Sequence, residues 1–80
     1  MDAITPSQCR AARELLEWTQ KQLAEASDLP QRTLADFETG ATKPRDATLR
    51  KLTKAFAKAG IAFVQIEGGG GVIRLPRTKD

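Results

Sequence analysis

Lys43, Arg45, Arg50, Lys51, Lys54 and Lys58 crowd into residues 41–60, where Asp46 is the single acid. Cations at this density suit a polyanion such as nucleic acid. They equally suit the solvated face of an amphipathic helix, because Arg50, Lys54 and Lys58 recur at i, i+4 and i+8. Residues 1–40 lean the other way, with four basic and seven acidic side chains, and the whole 80-residue chain carries a formal charge of +3. Catalytic chemistry is poorly provided for. The chain has no histidine, no tyrosine and one cysteine, Cys9. Those counts exclude Ser-His and Cys-His nucleophile pairs, histidine-ligated metals, a cysteine-rich zinc site and an intrachain disulfide. Gly68 to Gly71 lacks the Gly-Lys-Ser/Thr that completes a phosphate-binding loop, so a hairpin turn is the better reading. Neither an enzyme nor a cofactor or metal site is expected.

A chain of 80 residues makes one small domain. Its 40% hydrophobic and 29% charged residues are those of an ordinary globular protein, so a packed core is expected rather than a disordered tail. No apolar run approaches the roughly 20 residues of a membrane span. The start, MDAITPSQ, has no apolar stretch of the secretory kind. A cytoplasmic, nucleoid-associated protein that binds something is the expectation.

The apolar spacing supplies the elements. Thr5-Pro6-Ser7 reads as a helix start, and Cys9, Ala12 and Leu16 follow at helical intervals, predicting a first helix over about 7–17. Thr19 caps a second helix from Gln20 to Ser27, ended by the geometry that Pro30 imposes on its predecessor. A third runs from Gln31 to Thr39, with Leu34 and Phe37 inward and Gly40 as a left-handed cap. After the polar loop 41–45, Asp46 or Ala47 opens a fourth helix, which runs to about Ala59 with Leu49, Leu52 and Phe56 as its buried stripe. The last twenty residues change character. Ile61 to Ile66 and Val72 to Leu75 are rich in β-formers and flank the glycines, which predicts a β-hairpin. An isolated hairpin is marginal in water, so it needs its own helices or a second chain to lie against. Pro76 ends pairing, and 77–80 is expected to form a flexible tail.

Two short helices joined by a tight turn form a helix-turn-helix. Thr19-Gln20-x-x-Leu23-Ala24, then Leu34-x-x-Phe37-Glu38-x-Gly40, then Pro44 and Leu49-x-x-Leu52, resembles the Cro/phage-repressor type, the xenobiotic-response-element (XRE) family of regulators. The C-terminal hairpin looks like an appendage of small bacterial members. The resemblance implies a mainly α fold: a four-helix lambda-repressor-like DNA-binding domain over 5–60, with a C-terminal β-hairpin over 61–76.

The resemblance also implies roles. Helix 3 enters the major groove, and Gln31, Arg32 and Thr33 at its start, with Asp36, face base edges. Glutamine can pair with adenine and arginine with guanine. Asp36 either reads cytosine or orients Arg32. Thr19 and Gln20 at the start of helix 2, with Lys43 and Arg45, are expected on phosphates. Lys54 and Lys58 are taken as solvated. Arg13 and Glu38 are expected to form a partly buried ion pair joining helix 1 to helix 3. Cys9, on the buried stripe, is expected to behave as an inert small hydrophobe. Pro30 stands where the family more often has Ser or Thr, which leaves the start of helix 3 open by one residue.

The implied function is sequence-specific binding of double-stranded DNA at a palindromic operator by a homodimeric repressor. Ile61, Phe63, Val64, Ile66, Val72, Ile73 and Leu75 of the hairpin are the expected dimer element. The alternative is an antitoxin that binds a toxin protein and autoregulates its operon. A partner protein and DNA are compatible, and no membrane partner is expected.

Overall fold

Two threonines begin the first two helices in the same way. Thr5 Oγ1 accepts from Gln8 N at 3.1 Å while Gln8 Oε1 accepts from Thr5 N at 3.0 Å. Thr19 and Gln22 repeat this capping box at 3.1 and 2.8 Å. The computed structural model describes residues 4–66 and 69–75. In them the chain forms α1 (Pro6–Leu15), α2 (Gln20–Ser27), α3 (Gln31–Thr39), α4 (Asp46–Lys58), β1 (Ile61–Ile66) and β2 (Gly69–Arg74). The expected mainly α fold with a terminal hairpin is the one observed.

The first three helices stop by one device. Glu17, Asp28 and Gly40 take left-handed φ values of 58°, 59° and 79°. The next residue then bonds back five positions, Trp18 N to Arg13 O, Leu29 N to Ala24 O and Ala41 N to Asp36 O. Glycine suits this conformation and a glutamate resists it. That is why α1 ends at Leu15, short of the expected 17, and why α2 ends on Asp28 rather than through Pro30. Pro30 does stand at the N-cap of α3, with no side-chain cap.

The helices enclose Cys9, Ala12, Leu23, Leu34, Phe37, Leu52 and Phe56. Each large apolar side chain buried there contributes about 1.5–3 kcal/mol. Leu49, expected in this core, is only partly buried against it. Phe56 sits between Trp18, stacked at 6.3 Å, and Phe63 of β1, edge-on at 5.5 Å.

The hairpin is antiparallel, with Phe63 opposite Val72 and Val64 opposite Gly71. Here the expectation needs correction. Gly69, Gly70 and Gly71 are strand residues, paired with Ile66, Gln65 and Val64, not the turn. Residues 67–68, between the strands, lie outside the described residues, as do Pro76 and 77–80. The missing side chain at Gly70 makes room for Gln8 of α1: a Cβ there would collide with the Gln8 amide, which would have to shift. Strand alternation separates the hairpin into two faces. Ile61, Phe63 and Val72 pack on the chain's own helices. Ala62, Val64 and Ile73 lie on the opposite face, and Ile73 and the neighbouring Leu75 are about half exposed, at 46% and 48%. Of the seven residues expected to form a dimer, three are therefore committed within the protomer. The side chain of Ile66 lies outside the described part.

Candidate nucleic-acid interface

The inward face of α3 is Leu34, Phe37 and Glu38, all buried. Helical geometry then turns the first-turn residues outward. Gln31 and Arg32 are exposed, while Thr33, Ala35 and Asp36 are half-buried. Pro30 O accepts from Thr33 N at 3.0 Å and Leu34 N at 3.4 Å, and no side chain caps the amides ahead of them. The end of α3 that carries Gln31 and Arg32 therefore also carries the positive end of the helix dipole. Lys43 and Arg45 are exposed on the loop that enters α4, Arg45 at its N-cap. Among the described residues the one ion pair is Arg13–Glu38, so Arg32, Lys43 and Arg45 keep their charges free there. Arg32 and Asp36 do not meet within ion-pair distance.

Glu38 is the hub behind this surface. Arg13 holds it through two parallel bonds, Nε to Oε2 at 2.8 Å and Nη2 to Oε1 at 2.9 Å. Gln20 Nε2 donates to Oε1 at 3.0 Å, and the Cys9 thiol donates to Oε2 at 3.3 Å. Burial opposes ionisation of this carboxylate, but the hydrogen bonds from Arg13, Gln20 and Cys9 outweigh it and hold its pKa below the ordinary value. The same bond to Glu38 raises Arg13. Burial pushes the Cys9 thiol up, and the bond to Glu38 pushes it further. Arg13 also donates to Trp18 O at 3.0 Å, and Arg10 donates to the main-chain carbonyl of Glu38. One carboxylate thus ties α1, α2 and α3 together.

Arg13 and Glu38 were legible as a pair. Gln20 sits where phosphate contact was expected, at the first position of α2, but one of its amide protons is already given to Glu38. Its second proton and the exposed start of α2 remain. The parts taken by Cys9 and Arg10 were missed. Their signal was present in the spacing, since Arg13 lies four residues after Cys9 and three after Arg10, which puts both beside it on one side of α1.

A family model described as helix-turn-helix matches residues 10–59, from within α1 to the end of α4. The match covers more than half of the chain, and the protein belongs to this helix-turn-helix family, of the Cro/repressor type. It is a DNA-binding transcription regulator, and the family is a regulatory rather than an enzyme family. No curated protein matches the chain. Among the described residues no helix is long and apolar enough to cross a membrane.

Proposed function

We propose that this regulator reads a two-fold-symmetric operator as a homodimer and represses by occupying it. The observation that carries the reading is the division of α3: its back is buried on the Glu38 hub while Gln31 and Arg32 stand exposed at its start. In this reading Gln31, Arg32, Thr33 and Asp36 face base edges in the major groove. Thr19, Gln20, Lys43 and Arg45 hold the phosphates on either side and make the affinity steeply salt-dependent. A single recognition helix spans too few base pairs for a unique site. Two of them about 34 Å apart, one helical turn, read a palindrome.

The outer hairpin face supports the dimer. Ala62, Val64 and Ile73 give it no charge, and Ile73 stands about half exposed there. Apolar residues on both faces are the pattern of a sheet buried on both sides. That same face is where a toxin would bind in the antitoxin reading. Selection of bound duplexes from a random pool at physiological salt tests the proposal. It requires enrichment of a palindrome with half-sites about one turn apart. A folded dimer that enriches no sequence refutes it and turns the search to a protein that co-purifies on the hairpin.

A further inference from the structure

The first helix is gripped on two sides. Arg10 and Arg13 hold the last turn of α3, as described. The other side is clasped to β2 at both ends. Gln8 Nε2 donates to Gly71 O at 3.1 Å near the start of α1. Arg74 Nη1 donates to Leu15 O at 2.9 Å at its end, where a helix leaves carbonyls without partners and favours a cation. Gln8 to Leu15 is about 10 Å along a helix, and Gly71 to Arg74 is about 10 Å along a strand. The spans match, so β2 lies along α1 with a polar clasp at each end.

Among the described residues, the rest of the hairpin's hold on the helices comes from Gly60, at φ 91°, and the apolar contacts of Ile61, Phe63 and Val72. Apolar contact is non-directional and fixes an angle poorly. Small angles matter at this scale. The molecule's shortest dimension is 20 Å. A swing of about 10° over a lever that long moves its end by about 3.5 Å, the rise of one base pair.

We propose that Gln8 and Arg74 determine the half-site spacing of the operator. By fixing the hairpin on α1, and through α1 on α3, they set the separation of the two recognition helices in the dimer. The inference rests on the reading of a dimer joined by its hairpins. Gln8 and Arg74 are positioning residues that touch no base. A sharper role for Gly70 follows: it keeps β2 close enough for the Gln8 clasp to close.

The experiment compares wild type with the double variant Gln8→Glu/Arg74→Met. Gln8→Glu keeps the acceptor that completes the α1 capping box, loses the donor to Gly71 and sets a carboxylate oxygen against that carbonyl instead. Arg74→Met keeps an apolar stem and loses the donor to Leu15. Each protein selects from a pool of random duplexes about four helical turns long, and sedimentation reports its oligomeric state. Wild type is expected to enrich one half-site separation about tenfold over its neighbours. The double variant is expected to enrich the same half-site sequence with several separations at near-equal frequency, while remaining dimeric. Gly70→Ala, which displaces the Gln8 amide without altering it, is expected to broaden the distribution in the same direction and serves if the double variant does not fold. Dimeric variants that keep the sharp wild-type optimum overturn the proposal and leave the dimer reading intact. A monomeric wild type, or one with no preferred separation, overturns that reading and the proposal with it.

Discussion

Arg13 and Glu38 meet as a fork on a fork, 25 residues apart in sequence and with both N–H···O bonds under 3.0 Å. The side chain of Glu38 is 3% exposed and that of Arg13 17%. Removing the carboxylate charge leaves a guanidinium, a thiol and an amide that were arranged around it. Glu38→Gln is therefore expected to cost about 3 kcal/mol, toward the low end for a broken buried pair because Arg13 keeps some water. Urea unfolding measures it. A loss below about 1 kcal/mol would place the pair among surface ion pairs instead.

Acid should act through the same residue. The folded chain holds Glu38 below its ordinary value of 4.5, so the unfolded chain binds the proton more readily. The stability this gives is complete above that ordinary value and is lost as pH falls through the lower folded one. Unfolding free energy followed from pH 6 downward should decline less steeply in Glu38→Gln than in wild type. Parallel acid limbs would show that other carboxylates carry the dependence.

Cys9 is fully buried, and both its burial and its bond to Glu38 keep the thiol protonated. The thiolate is the reactive form. Alkylation by iodoacetamide at pH 8, followed by mass spectrometry, should proceed only as fast as the chain opens. Each stabilising change elsewhere should slow it further. Labelling at the rate of the denatured chain contradicts this burial.

Glu17 holds φ at 58° to end α1. A non-glycine residue in this region costs about 1–2 kcal/mol, whereas glycine is free of the clash. Glu17→Gly should stabilise the protein by about 1 kcal/mol, after the added entropy of the unfolded chain is set against the gain. A thermal midpoint that falls would show that the Glu17 side chain makes contributions the backbone geometry does not reveal.

Much of this was legible from local signals, and the exceptions share a cause. The bounds of α2 and α3 follow from Thr19 and Gly40, whose chemistry acts on their own neighbours. The Arg13–Glu38 pair was read from a resemblance, because its partners lie on different helices. The end of α1 escaped because nothing about a glutamate announces a left-handed turn. The glycines misled for a similar reason: a glycine that makes room for Gln8, 62 residues away, reads the same as one that makes a turn. Gln8 itself serves the α1 cap and the hairpin at once, and the sequence advertises only the first. Of the set expected to face DNA, residue type and spacing reach as far as the outward placement of Gln31 and Arg32.

The hairpin must be tested without removing it, because Ile61 is part of the core and Phe63 packs against it. Deleting 61–80 would expose Phe56 and confuse unfolding with dissociation. Ile73→Asp places a charge on the outer face alone. It should shift sedimentation from dimer to monomer with the helical circular dichroism unchanged. A variant that stays dimeric places the dimer contact elsewhere.

In the proposed complex α3 reads bases while the loop before α4 holds the backbone. Binding of wild type, Arg32→Ala and Lys43→Ala to the selected site and to every single-base-pair change in it, at two salt concentrations, tests this most directly. Arg32→Ala should cost about 1–3 kcal/mol and abolish preference at one base pair of each half-site. Lys43→Ala should weaken all sequences alike and make the salt slope shallower by about one per protomer. Equal losses on every sequence from both variants would contradict the assignment of Arg32 to the bases.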